Sequence, residues 1–146
     1  MKTKLFLLMC VFSGFFLQSC DDDDNIKVDR QLEDLFNEMY PSASGVKWEM
    51  ERGYYIADFW MNGYEAEACF DKQYKWIMTE FDIHFNDLPE AVRNSYSSSE
   101  YSDWRIDDID KFDYADSETE YLIEIEKGNR ELNLVYAADG SLIKSY

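Results

Sequence analysis

The side chains able to do chemistry in this sequence are few. The single histidine, His84, stands beside Asp82 and Phe85. Hydrolytic zinc sites take three protein ligands, so one histidine cannot build one. Serine chemistry would need the same His84, and no Gly-x-Ser-x-Gly elbow presents a nucleophile. A histidine making an ordinary hydrogen bond in a linker is the plain reading. Cys69 has no basic neighbour in its predicted strand to lower its pKa, and reads as a quiet thiol. The densest set of oxygen ligands runs from Asp107 to Glu118, where Asp108, Asp110, Asp113 and Asp116 form a calcium candidate. It is not an EF-hand, because the sixth-position glycine and the regular odd-position ligands are missing, so a solvated acidic loop is the plain alternative. No catalytic residue, cofactor or enzymatic activity is expected.

The remaining signal is aromatic. Trp60, with Tyr54 or Tyr74 and Trp76 if the strand register places them on the same face, can form a patch of the kind that dominates protein interfaces. Stacked rings beside Asp and Glu can equally hold a sugar. The plain reading is rings that pack against a neighbouring element or cover a sheet. The candidate ligand face is Tyr54, Ile56, Asp58, Trp60, Glu65, Glu67, Tyr74 and Trp76.

These residues must be positioned by an internal repeat. Tyr55 to Ile77 aligns without a gap on Tyr121 to Ile143, and each copy reads as two strands about a tight turn, Asn62-Gly63 or Gly128-Asn129. Ahead of the first copy, Leu32, Leu35, Phe36 and Met39 fall at helical spacing over Asp29 to Tyr40, which Pro41 ends. Four strands follow, at 46–51, 54–61, 64–70 and 74–80. Ahead of the second copy a helix runs from Leu88 to Tyr96, with Asp87 as its N-cap and Pro89 in its first turn, and a strand covers 104–109. Tyr40 stands eight residues before Trp48 and Tyr96 eight before Trp104, so the helix-to-strand connection reads as repeated, with roughly ten extra residues falling between Asp107 and Glu120.

Alternation assigns the strand faces. Ile123, Ile125, Leu132, Leu134 and Tyr136 face a core while Glu124, Glu126, Glu131 and Asn133 face away. By the repeat, Ala57, Phe59, Ala66, Ala68 and Phe70 are core, and Ile56, Asp58, Trp60, Glu65, Glu67 and Cys69 lie on an open face. The expected class is α+β: a tandem repeat of a helix plus a four-stranded antiparallel meander, with the helices on one face of the sheet. Unit one covers 29–83 and unit two 84–146. Aromatic residues make up 17% of the chain, which supplies apolar area that a single short unit would lack.

The N-terminus reads as an address. Lys2 and Lys4 precede an apolar run from Leu5 to Leu17, too short for a spanning helix, so residues 1–19 are an export signal. Leu17-Gln18-Ser19-Cys20 resembles a bacterial lipobox, in which Cys20 is lipidated and becomes the mature N-terminus. Residues 20–28 form an acidic tether, and Asp21, Asp22, Asp23 and Asp24 resemble an export signal to the outer face of an outer membrane; a plain spacer is the alternative. With Cys10 removed and Cys20 acylated, Cys69 has no partner for an internal disulfide. The net charge of −17 disfavours nucleic acid and anionic lipid head groups, so membrane contact is expected only through the N-terminal lipid.

The doubled helix-plus-meander order, with Leu88-Pro89-Glu90-Ala91-Val92 opening unit two and Tyr136-Ala137-Ala138-Asp139-Gly140-Ser141-Leu142-Ile143 closing it, resembles the PepSY-like family described as similar to beta-lactamase inhibitor proteins. Unit one has Asp71-Lys72-Gln73 where unit two has its Asp-Gly turn. The resemblance implies a small exported protein, of a family whose members are often lipoproteins, with helices on one side of an antiparallel sheet and an open face that binds or inhibits a protein. The expected function is therefore a non-enzymatic, surface-displayed lipoprotein that binds a macromolecule, a basic protein being the partner that fits the charge. The alternative is a glycan-binding accessory of a nutrient-uptake system.

Overall fold

The computed structural model describes residues 25–146; the export segment, Cys20 and Asp21 to Asp24 lie outside the described residues. Helix α1 (Arg30–Met39) begins where the Asp29 carboxylate accepts the Gln31 N–H at 2.8 Å, satisfying one of the donors that a helix start leaves free. Four strands follow: β1 (Ser44–Glu51), β2 (Tyr54–Met61), β3 (Tyr64–Phe70) and β4 (Trp76–Asp82). A 3-10 turn at Phe85–Asp87 leads to α2 (Glu90–Ser97). Then come β5 (Arg105–Tyr114), β6 (Glu120–Lys127), β7 (Arg130–Ala137) and β8 (Leu142–Ser145). The eight strands pair antiparallel in chain order within one sheet, so the fold is α+β, with two helices among the described residues.

Both helices pack on the same face. Leu32 and Phe36 of α1 bury against Trp48, Ala57, Phe59, Ala66, Ala68 and Phe70. Phe36 meets Phe59 at 5.0 Å and Trp48 at 5.3 Å, both edge to face, the arrangement ring quadrupoles favour. Val92 and Tyr96 of α2 bury against Ile109, Ile123, Ile125, Leu134 and Tyr136. The register carries one cluster into the other, since Ala66 faces Phe81, Phe81 faces Lys111, Lys111 faces Tyr121 and Tyr121 faces Tyr136. Among the described residues no helix is long and apolar enough to cross a membrane.

Several expectations are corrected. Asp87 does not cap α2; Pro89 occupies the N-cap position without a side-chain hydrogen bond, and the Asp87 carboxylate instead accepts the His84 N–H at 3.0 Å to close the 3-10 turn. The Tyr40/Trp48 and Tyr96/Trp104 spacings do not describe equivalent connections. Trp48 lies inside β1 opposite Ala57, whereas Trp104 precedes β5 and Ile109 stands opposite Ile123. On the expected repeat, the extra residues would be divided between the approach to β5 and the turn after it.

The acidic segment expected as a loop is mostly strand. Asp is a poor strand former, but β5 pairs with β4 on one side and β6 on the other, and two ladders of backbone hydrogen bonds override that propensity.

β4 starts two residues later than expected. Asp71 accepts from the N–H groups of Gln73 and Lys75, and Tyr74 takes a left-handed φ of 63°. The turn therefore consumes Tyr74 and Lys75. Its counterpart in the second half is Gly140, φ 85°, so the missing glycine of the first half is replaced by a strained tyrosine whose ring packs on Tyr55 at 5.5 Å.

Candidate binding face

The sheet face opposite the helices is built by the alternate residues of each strand. On β2 these are Tyr54, Ile56, Asp58 and Trp60, because their neighbours Tyr55, Ala57, Phe59 and Met61 point to α1. Trp60 is 50% exposed and stands opposite Ser44 on one side and Glu65 on the other. Asp58 lies between Lys47 and Glu67. Tyr54 is half-buried opposite Glu51.

Two of the expected members are on this face and yet closed off. Ile56 is 0% exposed and Cys69, opposite it, is 4% exposed. Burial and the negative charges of Glu67 and Asp71 push the Cys69 thiol up to about 12, which keeps it protonated and inert.

Two further members are not on this face at all. Trp76 and Tyr74 pack against the α1 cluster, and the Trp76 indole N–H donates to the Thr79 hydroxyl at 2.9 Å. Thr79 in turn hydrogen-bonds the Tyr40 hydroxyl, so Trp76 belongs to a buried polar triad under α1. The reason is a register shift between Cys69 and Phe70 that sets Phe70, a helix-side residue, opposite Trp76.

The calcium candidate is dispersed. Asp108 and Asp110 lie on the open face, Asp113 on the helix face, where it accepts from Lys111 at 2.6 Å and Thr119 at 2.8 Å, and Asp116 pairs with Lys75 in the following turn. Strand alternation separates Asp110 from Asp113, so the four cannot share one ion. Among the described residues no group of three or more possible ligands is disposed for a metal.

The structure brings together a set that the sequence left apart. Asp58, Glu67 and Glu80 face one another in a row across β2, β3 and β4. Asp110 stands opposite Asp82 and diagonal to Glu80, while Asp108 stands opposite Glu124. Desolvation is the first cause of the shifts that follow, and mutual repulsion adds to it, offset in part at Asp108 by the Ile109 N–H that its carboxylate accepts. Together they raise Glu67 to about 7, Glu80 to about 8 and Asp110 to about 9, and push Asp58, Asp108 and Glu124 upward. Beside these carboxyls Phe112, Leu122 and Val135 bury one another with Met78 and Tyr114, an apolar collar on the same face. The rings of Phe112 and Tyr114 stack at 6.2 Å. The signal that could have found this set is the alternation Asp108, Asp110, Phe112, Tyr114, visible only once the segment is known to be a strand.

A family model described as "Putative beta-lactamase-inhibitor-like, PepSY-like" matches residues 53–144, more than half of the chain. The chain belongs to the PepSY-like family. This PepSY-like chain is similar in structure to a BLIP-like protein from Bacteroides fragilis, with a TM-score of 0.79 and 32% identity over 86% of this chain and 91% of that one. It is also similar to DUF2874 family proteins from Bacteroides ovatus (TM-score 0.77, 28% identity, 83% of this chain and 88% of that one) and Bacteroides uniformis (TM-score 0.76, 27% identity, 82% and 89%). No curated protein matches this PepSY-like sequence.

Proposed function

We propose that this PepSY-like chain is a non-enzymatic lipoprotein, held at an outer membrane through Cys20, whose open sheet face binds a protein in an inhibitor-like manner. The observation that carries this reading is Trp60. A tryptophan that is 50% exposed, on the one sheet face that neither helix covers and next to a field of carboxyls, is the residue type that anchors interfaces. The similarity to a BLIP-like protein supports a protein as the partner. The doubled order of one helix and four strands is read as an internal repeat that widens this face. Surface display through Asp21 to Asp24 is part of the same reading and stands on the sequence alone. The glycan alternative loses ground because Tyr74 and Trp76, two of the rings it would stack on, face the helices.

The test is recovery of a partner from outer-membrane extracts. Trp60→Ala should lower recovery by at least about tenfold, the loss of an interface anchor. Rising salt should weaken the wild-type complex, as it does for a contact between opposite charges. In the same fractionation Cys20→Ser should release the protein from the membrane pellet. Equal recovery by Trp60→Ala and wild type would remove the open face as the site.

A further inference from the structure

The carboxyl set on the open face carries, once ionised, more charge than the protein itself answers. Asp110 is the charged residue that the fold buries, at 8% exposure, yet its carboxyl has no hydrogen-bond or ion-pair partner among the described residues. Glu80 and Glu67 are likewise without a cation. Of the neighbouring cations, Lys111 projects to the helix side with Asp113, Arg105 is held by Glu126 and Asp107 at 2.7 Å each, and Lys47 stands opposite Asp58 at the β1 end of the row. Every charged group facing Asp110 and Glu80 is acidic, namely Asp82 from β4, Asp108 from β5, Glu124 from β6 and Glu67 from β3. Ionising such a carboxyl without a cation beside it is costly, and the neighbouring collar of Phe112 and Leu122 adds to that cost by narrowing its access to water.

We infer that Asp110, Glu80 and Glu67 form a receptor for a guanidinium group, an arginine side chain of the bound protein. This deepens the open-face reading above and rests on it. A small hard cation is disfavoured by the absence, among the described residues, of three ligands set for one. A guanidinium spreads its charge over a plane, is weakly hydrated, and offers five donors in a fork that can satisfy two carboxylates at once. An apolar collar next to paired carboxyls suits that cation better than a strongly hydrated ammonium. Binding an arginine would lower the proton affinity of the three carboxyls, so their protons leave as the arginine enters.

Isothermal titration with hexa-arginine and with hexa-citrulline, which has the same shape without the charge, tests this. In two buffers of different ionisation enthalpy at about pH 7.5, wild type should bind hexa-arginine at least about tenfold more tightly than hexa-citrulline and release about one proton per complex. The double variant D110N/E80Q should lose about tenfold in affinity and all of the proton release. The control E33Q/E38Q makes the same two carboxyl-to-amide changes on the exposed surface of α1 and should change neither.

Equal losses in variant and control, or binding without proton release, would show general attraction to an acidic protein and overturn the inference. The same proton release on adding calcium chloride alone, abolished in D110N/E80Q, would assign the set to a metal and also overturn it. Removing repulsion should leave the variant folded, with a melting midpoint at or above wild type. A midpoint below it would show that these carboxyls hold the sheet together rather than await a cation, a third overturning result. If hexa-arginine fails while Trp60→Ala abolishes partner recovery, the receptor falls and the open face stands. The reverse pattern locates binding at the carboxyls alone.

Discussion

Raising the pH from about 5 to about 9 lowers the thermal unfolding midpoint of this protein by about 10 °C, equivalent to roughly 3 kcal/mol. The sign follows from the open-face carboxyls. In the unfolded chain they titrate near 4. In the native sheet Glu67, Glu80 and Asp110 hold their protons up to about 7, 8 and 9. Below pH 4 both states are protonated and these groups are neutral in effect. Between pH 4 and 9 the unfolded chain has released protons that the native state still carries, so stability falls as pH rises, and above about 9 the penalty is complete.

The full shifts would give a far larger number. Glu67 and Glu80 are only partly covered, however, and water and small rearrangements screen them, which is why the expected loss is set at a few kcal/mol. Asp103, Glu126 and Asp139 are held below the usual carboxylate range by Lys127, Arg105 and Ser141 respectively. Their contribution has the opposite sign and is lost only as pH falls through their lowered values, so the stability maximum lies at about pH 5. Asp110→Asn should flatten the curve and raise stability at pH 9 by about 2 kcal/mol, since a neutral amide of the same shape carries no repulsion. Calorimetry or circular dichroism melts across this range check it; a midpoint that rises with pH would contradict the burial of these groups.

Gly140→Ala lowers stability by about 3 kcal/mol or more, whereas Gly63→Ala costs only about 1 kcal/mol. Both glycines have left-handed φ angles, 85° and 90°. An alanine pays the same backbone strain at each. The difference is space. A Cβ on Gly63 meets nothing within 4 Å, but on Gly140 it stands 2.5 Å from the Ala91 carbonyl oxygen and 2.7 Å from its carbon. That carbonyl belongs to the first turn of α2, so relief requires the helix to move off the sheet and to loosen Val92 and Tyr96 from Ile123 and Tyr136. Denaturant melts of the two variants side by side give the comparison. Equal losses would mean that the turn and α2 do not touch.

The two glycines also show how much was legible. Asn62-Gly63 could be read as a hairpin because its signal is contained in two residues, and both φ angles are positive as a type I′ turn needs. The contact between Gly140 and Ala91 could not be read, since it joins positions far apart in the chain. The same division holds for the candidate site. Trp60 was assigned to the open face from alternation and lies there, 50% exposed. The place of Tyr74 and Trp76 on that face depends on the register of β4, and they lie on the other side, because the Asp71 turn and the register shift beside Phe70 change its phase. Ile56 and Cys69 have the expected direction but not the expected exposure. Direction is a property of the strand, whereas exposure depends on which strands come to lie beside it.

Alternation with a period of two is a local property, so the sequence alone determined which residues of β2, β3, β6 and β7 face the helices, and where the chain turns between them. It likewise determined the excess of negative charge. Only the tertiary structure decided that β4 and β5 pair, and that single non-local ladder makes one sheet of eight strands out of two sets of four. It also sets Glu80, the neighbour of Glu67, diagonal to Asp110. A strand pays its chain entropy and collects its ladder hydrogen bonds only when the partner arrives, and no periodicity within β5 names that partner.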